Sequence, residues 1–155
     1  MNKDKPIERK EYLKPLSREH HHGLLLCWKI RTGFAKGVSP ERIKAYADWF
    51  YKTYLISHFE AEEKYVFPVL GKENELIIKA VDDHRQLTGL FSDNEDIENS
   101  LKKIQTKLED HIRFEERILF NEIQNSATEE EVELMQKIHS IEKFTENTSD
   151  EFWNT

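Results

Sequence analysis

HFEAEEKYVFP at residues 58–68 and HIRFEERILFN at residues 111–121 write one pattern twice, each with a histidine four positions ahead of a glutamate. Helical residues four apart lie on one face, so His58 with Glu62, and His111 with Glu115, each aim an imidazole and a carboxylate at one point. The match goes further, because Glu63 and Glu116, Lys64 and Arg117, Val66 and Leu119, and Phe67 and Phe120 also correspond. The repeat reads as two halves of one metal site carried on two helices of the same geometry. Glu63 and Glu116, one position further on, are expected to point away from it.

Outward from the repeat, glycine is sparse and turn signals fall between long stretches of helical period, so the chain reads as all-α. Helix one is expected over about 16–34, closed by Gly33 and Gly37. Ser39-Pro40-Glu41 supplies an N-cap, a first-turn proline and an acid near the positive helix end, which starts helix two. Pro68 and Gly71 end it. Helix three is expected over about 73–91, and helix four from about 93, with Asp96 as a capping-box analogue. Apolar stripes run along each, and His58, His84 and His111 interrupt three of them. Thr128 to Glu131 is a capping box for a short extra C-terminal helix over about 128–143, and the tail 145–155 is expected to be loose. The fold expected is an up-down four-helix bundle with its core over about 13–124.

Helix one adds SREHHHGLLLCW, where Leu13, Leu16, His20, Leu24 and Cys27 fall at helical spacing. His20 therefore faces the core, with His21 held in reserve as the alternative. His22 and His139 lie off the convergent face and read as surface residues.

With 155 residues the chain is one domain, 1–155, large enough for a real core. Thirty acidic against 23 basic residues give a net charge of −7, and no compact basic patch is interleaved with aromatics, which argues against nucleic acid as a partner. The single cysteine, Cys27, leaves no internal disulfide and no zinc-type cysteine cluster. No apolar run is long enough to span a bilayer and no secretory signal is visible, so the expectation is a soluble cytoplasmic protein with no membrane partner.

A lone histidine on an apolar face is more often a hydrogen-bonded core residue than a ligand. Four of them, one per helix, together with two carboxylates in one core, all need partners, and a metal satisfies them together. The candidate ligands are His20, His58, Glu62, His84, His111 and Glu115. Without metal, Glu62 and Glu115 would resist joint ionisation, so one of them is expected to hold a proton.

LSREHHHGLLLCWKI, HFEAEEKYVFP, the DHRQL around His84, and HIRFEERILF together resemble the hemerythrin-like (HHE cation-binding) family. The resemblance spans residues 13–124. It implies a non-haem di-iron centre, two iron ions joined by an oxo or hydroxo group, with His20, His58, His84 and His111 as terminal ligands and Glu62 and Glu115 as bridges. Oxygen-carrying hemerythrins use five histidines, with an HxxxH pair on the third helix and HxxxxD on the fourth. Here the positions four from His84 are Ala80 and Thr88, and the fourth helix has Glu115 and then Asn121. The set is similar instead to the di-iron domain of iron–sulfur cluster repair proteins, although the paired cysteines of their N-terminal segment have no counterpart.

Two histidines, two carboxylate oxygens and a bridging oxygen would give each iron five ligands and leave an open position on both. The expected function is redox chemistry or sensing with dioxygen, peroxide or nitric oxide. An iron storage or buffering module and a reversible oxygen carrier are the alternatives, and a metal-free helical interaction domain comes last.

Overall fold

The computed structural model describes residues 8–138 and 144–154 of the chain. Among the described residues every regular element is helical and no strand occurs. Helix α1 is Lys14–Ala35, entered through a 3-10 turn at Glu11–Leu13. Helix α2 is a composite over 40–69: α-helical at Pro40–Phe50 and Ile56–Ala61, π-helical at Tyr51–Leu55 and Glu62–Val66, and closed by a 3-10 turn at Phe67–Val69. Helix α3 is Glu75–Ser92. Helix α4, over 97–126, joins Ile97–Phe114 to Phe120–Ser126 through a π-helical turn at Glu115–Leu119. Helix α5 is Glu129–Met135. No helix is long and apolar enough to cross a membrane among the described residues.

Local chemistry sets the boundaries. Gly37, at φ 74°, lets the chain leave α1, and its N–H and that of Val38 donate to the Phe34 and Gly33 carbonyls. Gly33 does not terminate α1 as the sequence suggested. A Cβ there would sit 2.7 Å from Phe152 and 2.9 Å from Ile43, so glycine makes room for two core side chains. Ser39 does occupy the N-cap of α2 ahead of Pro40, without a side-chain hydrogen bond. Asp96 is not the third residue of a helix begun at Asp93. It is the N-cap of α4, accepting from the Asn99 N–H, while Asp93 is extended and accepts from the Glu95 N–H and the Ser100 hydroxyl. The Thr128–Glu131 capping box is present as read.

Buried apolar side chains form two clusters, and every long helix runs from one to the other. Along α1 the order is Leu13 and Leu16 in one cluster, His20, then Leu26, Cys27 and Ile30 in the other. Along α2 the order reverses: Phe50, Leu55 and Phe59 precede Glu62, and Val66 and Phe67 follow it. Helix α3 passes from Ile77 and Ala80 through His84 to Leu87 and Phe91, and α4 returns from Leu101, Ile104 and Leu108 through His111 to Leu119 and Phe120. The four helices thus alternate in direction, and their polar residues meet in the layer between two apolar ones. Helix α1 comes close to α4 at Gly23, where an added Cβ would meet Ile112 at 2.7 Å.

The C-terminal region departs from the sequence reading. Helix α5 stops at Met135 rather than near residue 143, and its expected continuation over 139–143, with His139, lies outside the described residues. The tail is not loose over its described part. Phe152 is fully buried and Trp153 nearly so, both within the core cluster of α1 and α2, and Arg42 makes a paired ion contact with Asp150. Burying two large aromatic surfaces outweighs the ordering cost that leaves most chain ends free.

Candidate metal centre

His20 on α1, His58 and Glu62 on α2, His84 on α3, and His111 and Glu115 on α4 are all buried, Glu62 and Glu115 completely. Their donor atoms fall into two overlapping groups: His20, His58, Glu62 and Glu115, and Glu62, His84, His111 and Glu115, each within 4.8 Å of one another. The two glutamates belong to both. The Nε2 atoms of His84 and His20 lie 3.1 and 3.5 Å from opposite oxygens of Glu62, and that of His58 lies 3.3 Å from it. His20 and His111 each approach Glu115 Oε1 at 3.1 Å.

These short distances do not make a satisfied network. His84 Nε2, His111 Nε2, both oxygens of Glu62 and one of Glu115 are buried without a hydrogen bond. The atoms are near one another but aimed at common points between them, as lone pairs converging on cations would be. Four imidazole nitrogens with two shareable carboxylates suit a transition metal rather than the all-oxygen shells of calcium or magnesium. The donor set therefore fits two metal positions sharing Glu62 and Glu115.

Of the three histidines on α1, His20 is the one grouped with the other donors. His20 is buried and contributes, His21 is exposed, and His22 is half-buried. His22 is not the surface residue expected, because its ring stacks on Phe144 at 4.1 Å and its Nδ1 is buried.

The sequence reading missed a second layer. Each of the four histidines turns its other nitrogen, Nδ1, to a carboxylate: His20 to Glu116 at 2.6 Å, His58 to Glu19 at 3.2 Å, His84 to Glu63 at 2.8 Å and His111 to Asp83 at 2.9 Å. Glu63 and Glu116 thus do not point away from the site. They leave their own helix's ligand and reach the histidine of the next helix. The four contacts close a ring in which α1 serves α2, α2 serves α3, α3 serves α4, and α4 serves α1. An Nδ1–H donated to a carboxylate fixes the ring orientation and leaves Nε2 as the free donor. Signals were present in the sequence: an acid stands before His20 and His84, and a second acid after Glu62 and Glu115.

The π-helical turns belong to the same design, since those at 62–66 and 115–119 both begin on a shared glutamate. Such one-residue expansions concentrate at functional sites because they re-aim side chains without breaking the helix.

Without metal, Glu62 does not hold the proton expected on at least one of the two glutamates. Burial opposes protonation of His58 and His111, but the Glu62 and Glu115 charges and the hydrogen bonds the two rings donate to Glu19 and Asp83 outweigh it and hold both at about 9. His20 is raised well above its ordinary value, against burial, by its hydrogen bonds with Glu115 and Glu116 and by the neighbouring Glu62 carboxylate. Burial pushes Glu62 up, yet the facing histidines pull it well below the usual carboxylate range. Protons therefore sit on His20, His58 and His111, and Glu62 is ionised. Asp83, buried but gripped by His111, Lys79 and Lys107, is also held low. Cys27 takes no part, since burial above all, with the Glu109 charge, pushes its thiol up to about 12.

A cavity with about 10 Å³ of room for a water-sized centre adjoins the donors. His20, His58 and His111 border it, with Gly23, Leu55, Phe59, Leu108 and Ile112 as apolar wall. It has room for about one water-sized molecule. No family model, curated protein or solved structure matches the chain.

Proposed function

We propose that this chain is a hemerythrin-like four-helix bundle that binds a pair of iron ions and uses them for redox chemistry or sensing with dioxygen, peroxide or nitric oxide. The observation that carries this reading is the pair of donor groups sharing Glu62 and Glu115, each completed by two histidines of consecutive helices. Alternating helix direction, with the polar layer midway, supports the up-down bundle. Iron is favoured over zinc because closed zinc sites take four ligands, whereas this set offers shared carboxylates and spare positions suited to a redox pair.

When bound, an iron pair supplies electrons to small oxidants or a binding position for a diatomic. The chain's own residues do the rest. Histidine Nε2 atoms and the two glutamates hold the ions, and the four outer acids lock the imidazoles in the donor tautomer. The apolar wall of the small cavity excludes bulk water and limits access by size. Its size leaves no space for an iron mineral, which argues against storage. A reversible carrier needs one sealed iron, and each donor group here contains the same two-histidine, two-glutamate set.

Metal analysis of anaerobically purified protein, with its optical spectrum, tests the reading. About two irons per chain are expected, with rapid oxidation on mixing with dioxygen. A preparation that holds no iron under these conditions overturns it. Repeated recovery of the reduced spectrum by an argon purge would establish the carrier instead.

A further inference from the structure

The small cavity beside the histidines has one oxidisable ring in its wall, Tyr54. That ring meets Trp49 edge-on with centroids 5.6 Å apart, Trp49 meets Tyr46 at 5.3 Å, and Tyr46 meets Trp153 of the C-terminal segment at 4.9 Å. Four aromatic side chains of low oxidation potential therefore stand in unbroken contact, from the half-buried Tyr54 and Trp49 to the buried Tyr46 and Trp153.

Tyr46 has the environment of a residue built to lose an electron. Its phenol donates to Glu146 Oε1 at 2.5 Å and accepts from the buried Lys29 ammonium at 2.8 Å. Burial, then Glu146, keeps the phenol protonated at neutral pH, so oxidation there must shed a proton, and Glu146 is in place to take it. Lys29 also lies over the Trp153 ring at 4.2 Å. Lys29 lies over the Tyr46 ring as well, at 4.8 Å, and its charge disfavours a cation radical on either ring, but Tyr46 has in Glu146 an acceptor for the proton whose loss neutralises its radical.

We propose that Tyr54, Trp49 and Tyr46 form a one-electron relay that carries an oxidising equivalent from the metal centre to the buried Tyr46, with the partly exposed Glu146 as the proton acceptor of Tyr46. The proposal rests on the redox reading above. Hydrogen peroxide is the oxidant: its O–O bond breaks, and two electrons with two protons convert it to two waters. Each electron is drawn from Tyr46 through Trp49 and Tyr54, as the Tyr46 O–H bond breaks and the proton passes to the Glu146 carboxylate. A one-electron reductant of the ascorbate class then returns an electron to the phenoxyl radical, and Glu146 returns the proton. Two ascorbate monoanions, each giving up one hydrogen atom in net terms, balance one peroxide.

The test mixes iron-loaded protein with hydrogen peroxide, freezes it within milliseconds and reads the electron paramagnetic resonance spectrum. Wild type should give a tyrosyl radical that ascorbate quenches. Tyr46→Phe should abolish it, and Trp49→Phe or Tyr54→Phe should lower it at least tenfold with Tyr46 still present. Glu146→Gln should slow its appearance at least tenfold. Circular dichroism and iron content confirm that each variant is folded and loaded, and either of the two intervening variants suffices if the other is not. An unchanged radical in Tyr46→Phe overturns the relay, as does wild-type protein whose optical spectrum responds to peroxide without any protein radical. In both cases the redox reading stands. Iron-loaded protein with no optical response to peroxide overturns both.

Discussion

Ten side chains make up the candidate centre, and six of them were picked out from the sequence. His58, Glu62, His111 and Glu115 were legible because their spacing is a property of one helix, and His20 and His84 because each interrupts an apolar stripe. Glu19, Glu63, Asp83 and Glu116 were not, because each serves a histidine on another helix, and only the packing of neighbours says which acid meets which ring. The two layers should answer differently to substitution. His84→Ala or His111→Ala deletes a donor, and bound iron, measured by metal analysis after desalting, should fall at least several-fold, while the exposed His21→Ala leaves it unchanged. Undiminished iron in the His84 variant would refute the site. Asp83→Asn keeps all six donors but weakens the acceptor that orients His111, so metal affinity in a chelator competition should drop about 10–100-fold. An affinity equal to wild type would reduce Asp83 to an ordinary buried ion-pair residue.

Helix existence followed from periodicity, and the legible ends were those with local chemistry: Gly37 beyond α1, Pro40 opening α2, and the Thr128–Glu131 box opening α5. The π-helical turns in α2 and α4 left no mark in the pattern, because one extra residue per turn shifts a stripe by less than its own width. The C-terminal segment was misread for a related reason. Phe152 and Trp153 stand in a polar stretch without helical period, and their binding place is made by Gly33 and Ile43, more than a hundred residues earlier. If that docking is part of the core, Phe152→Ala leaves a cavity against Gly33 and should cost about 3–5 kcal/mol in urea unfolding. A loss below about 1 kcal/mol would mean that the segment rests on the helices without contributing to their stability.

For the molecule as a whole, the polar layer between two apolar clusters costs stability unless its charges are matched, and metal and protons are competing ways to match them. In the metal-free chain, His58 and His111 rise from 6.5 in the unfolded state to about 9 when folded, because their protonated rings face Glu62 and Glu115. Their contribution is complete below pH 6.5 and is lost as pH climbs through about 9, where the folded rings release their protons. Glu62 works in the opposite sense: lowered from 4.5, its contribution is present above that value and is lost as acid protonates the folded carboxylate. Metal-free protein should therefore melt highest between about pH 4.5 and 6.5 and at a clearly lower temperature at pH 10. Bound metal takes the place of those protons, so loaded protein should melt above the metal-free form at neutral pH, and the gap should widen at pH 9 to 10. Calorimetric scans of chelator-stripped and iron-loaded samples across this range check both signs. Metal-free protein that melts no lower at pH 10 than at pH 6 would show that the buried histidines do not hold the charges assigned to them.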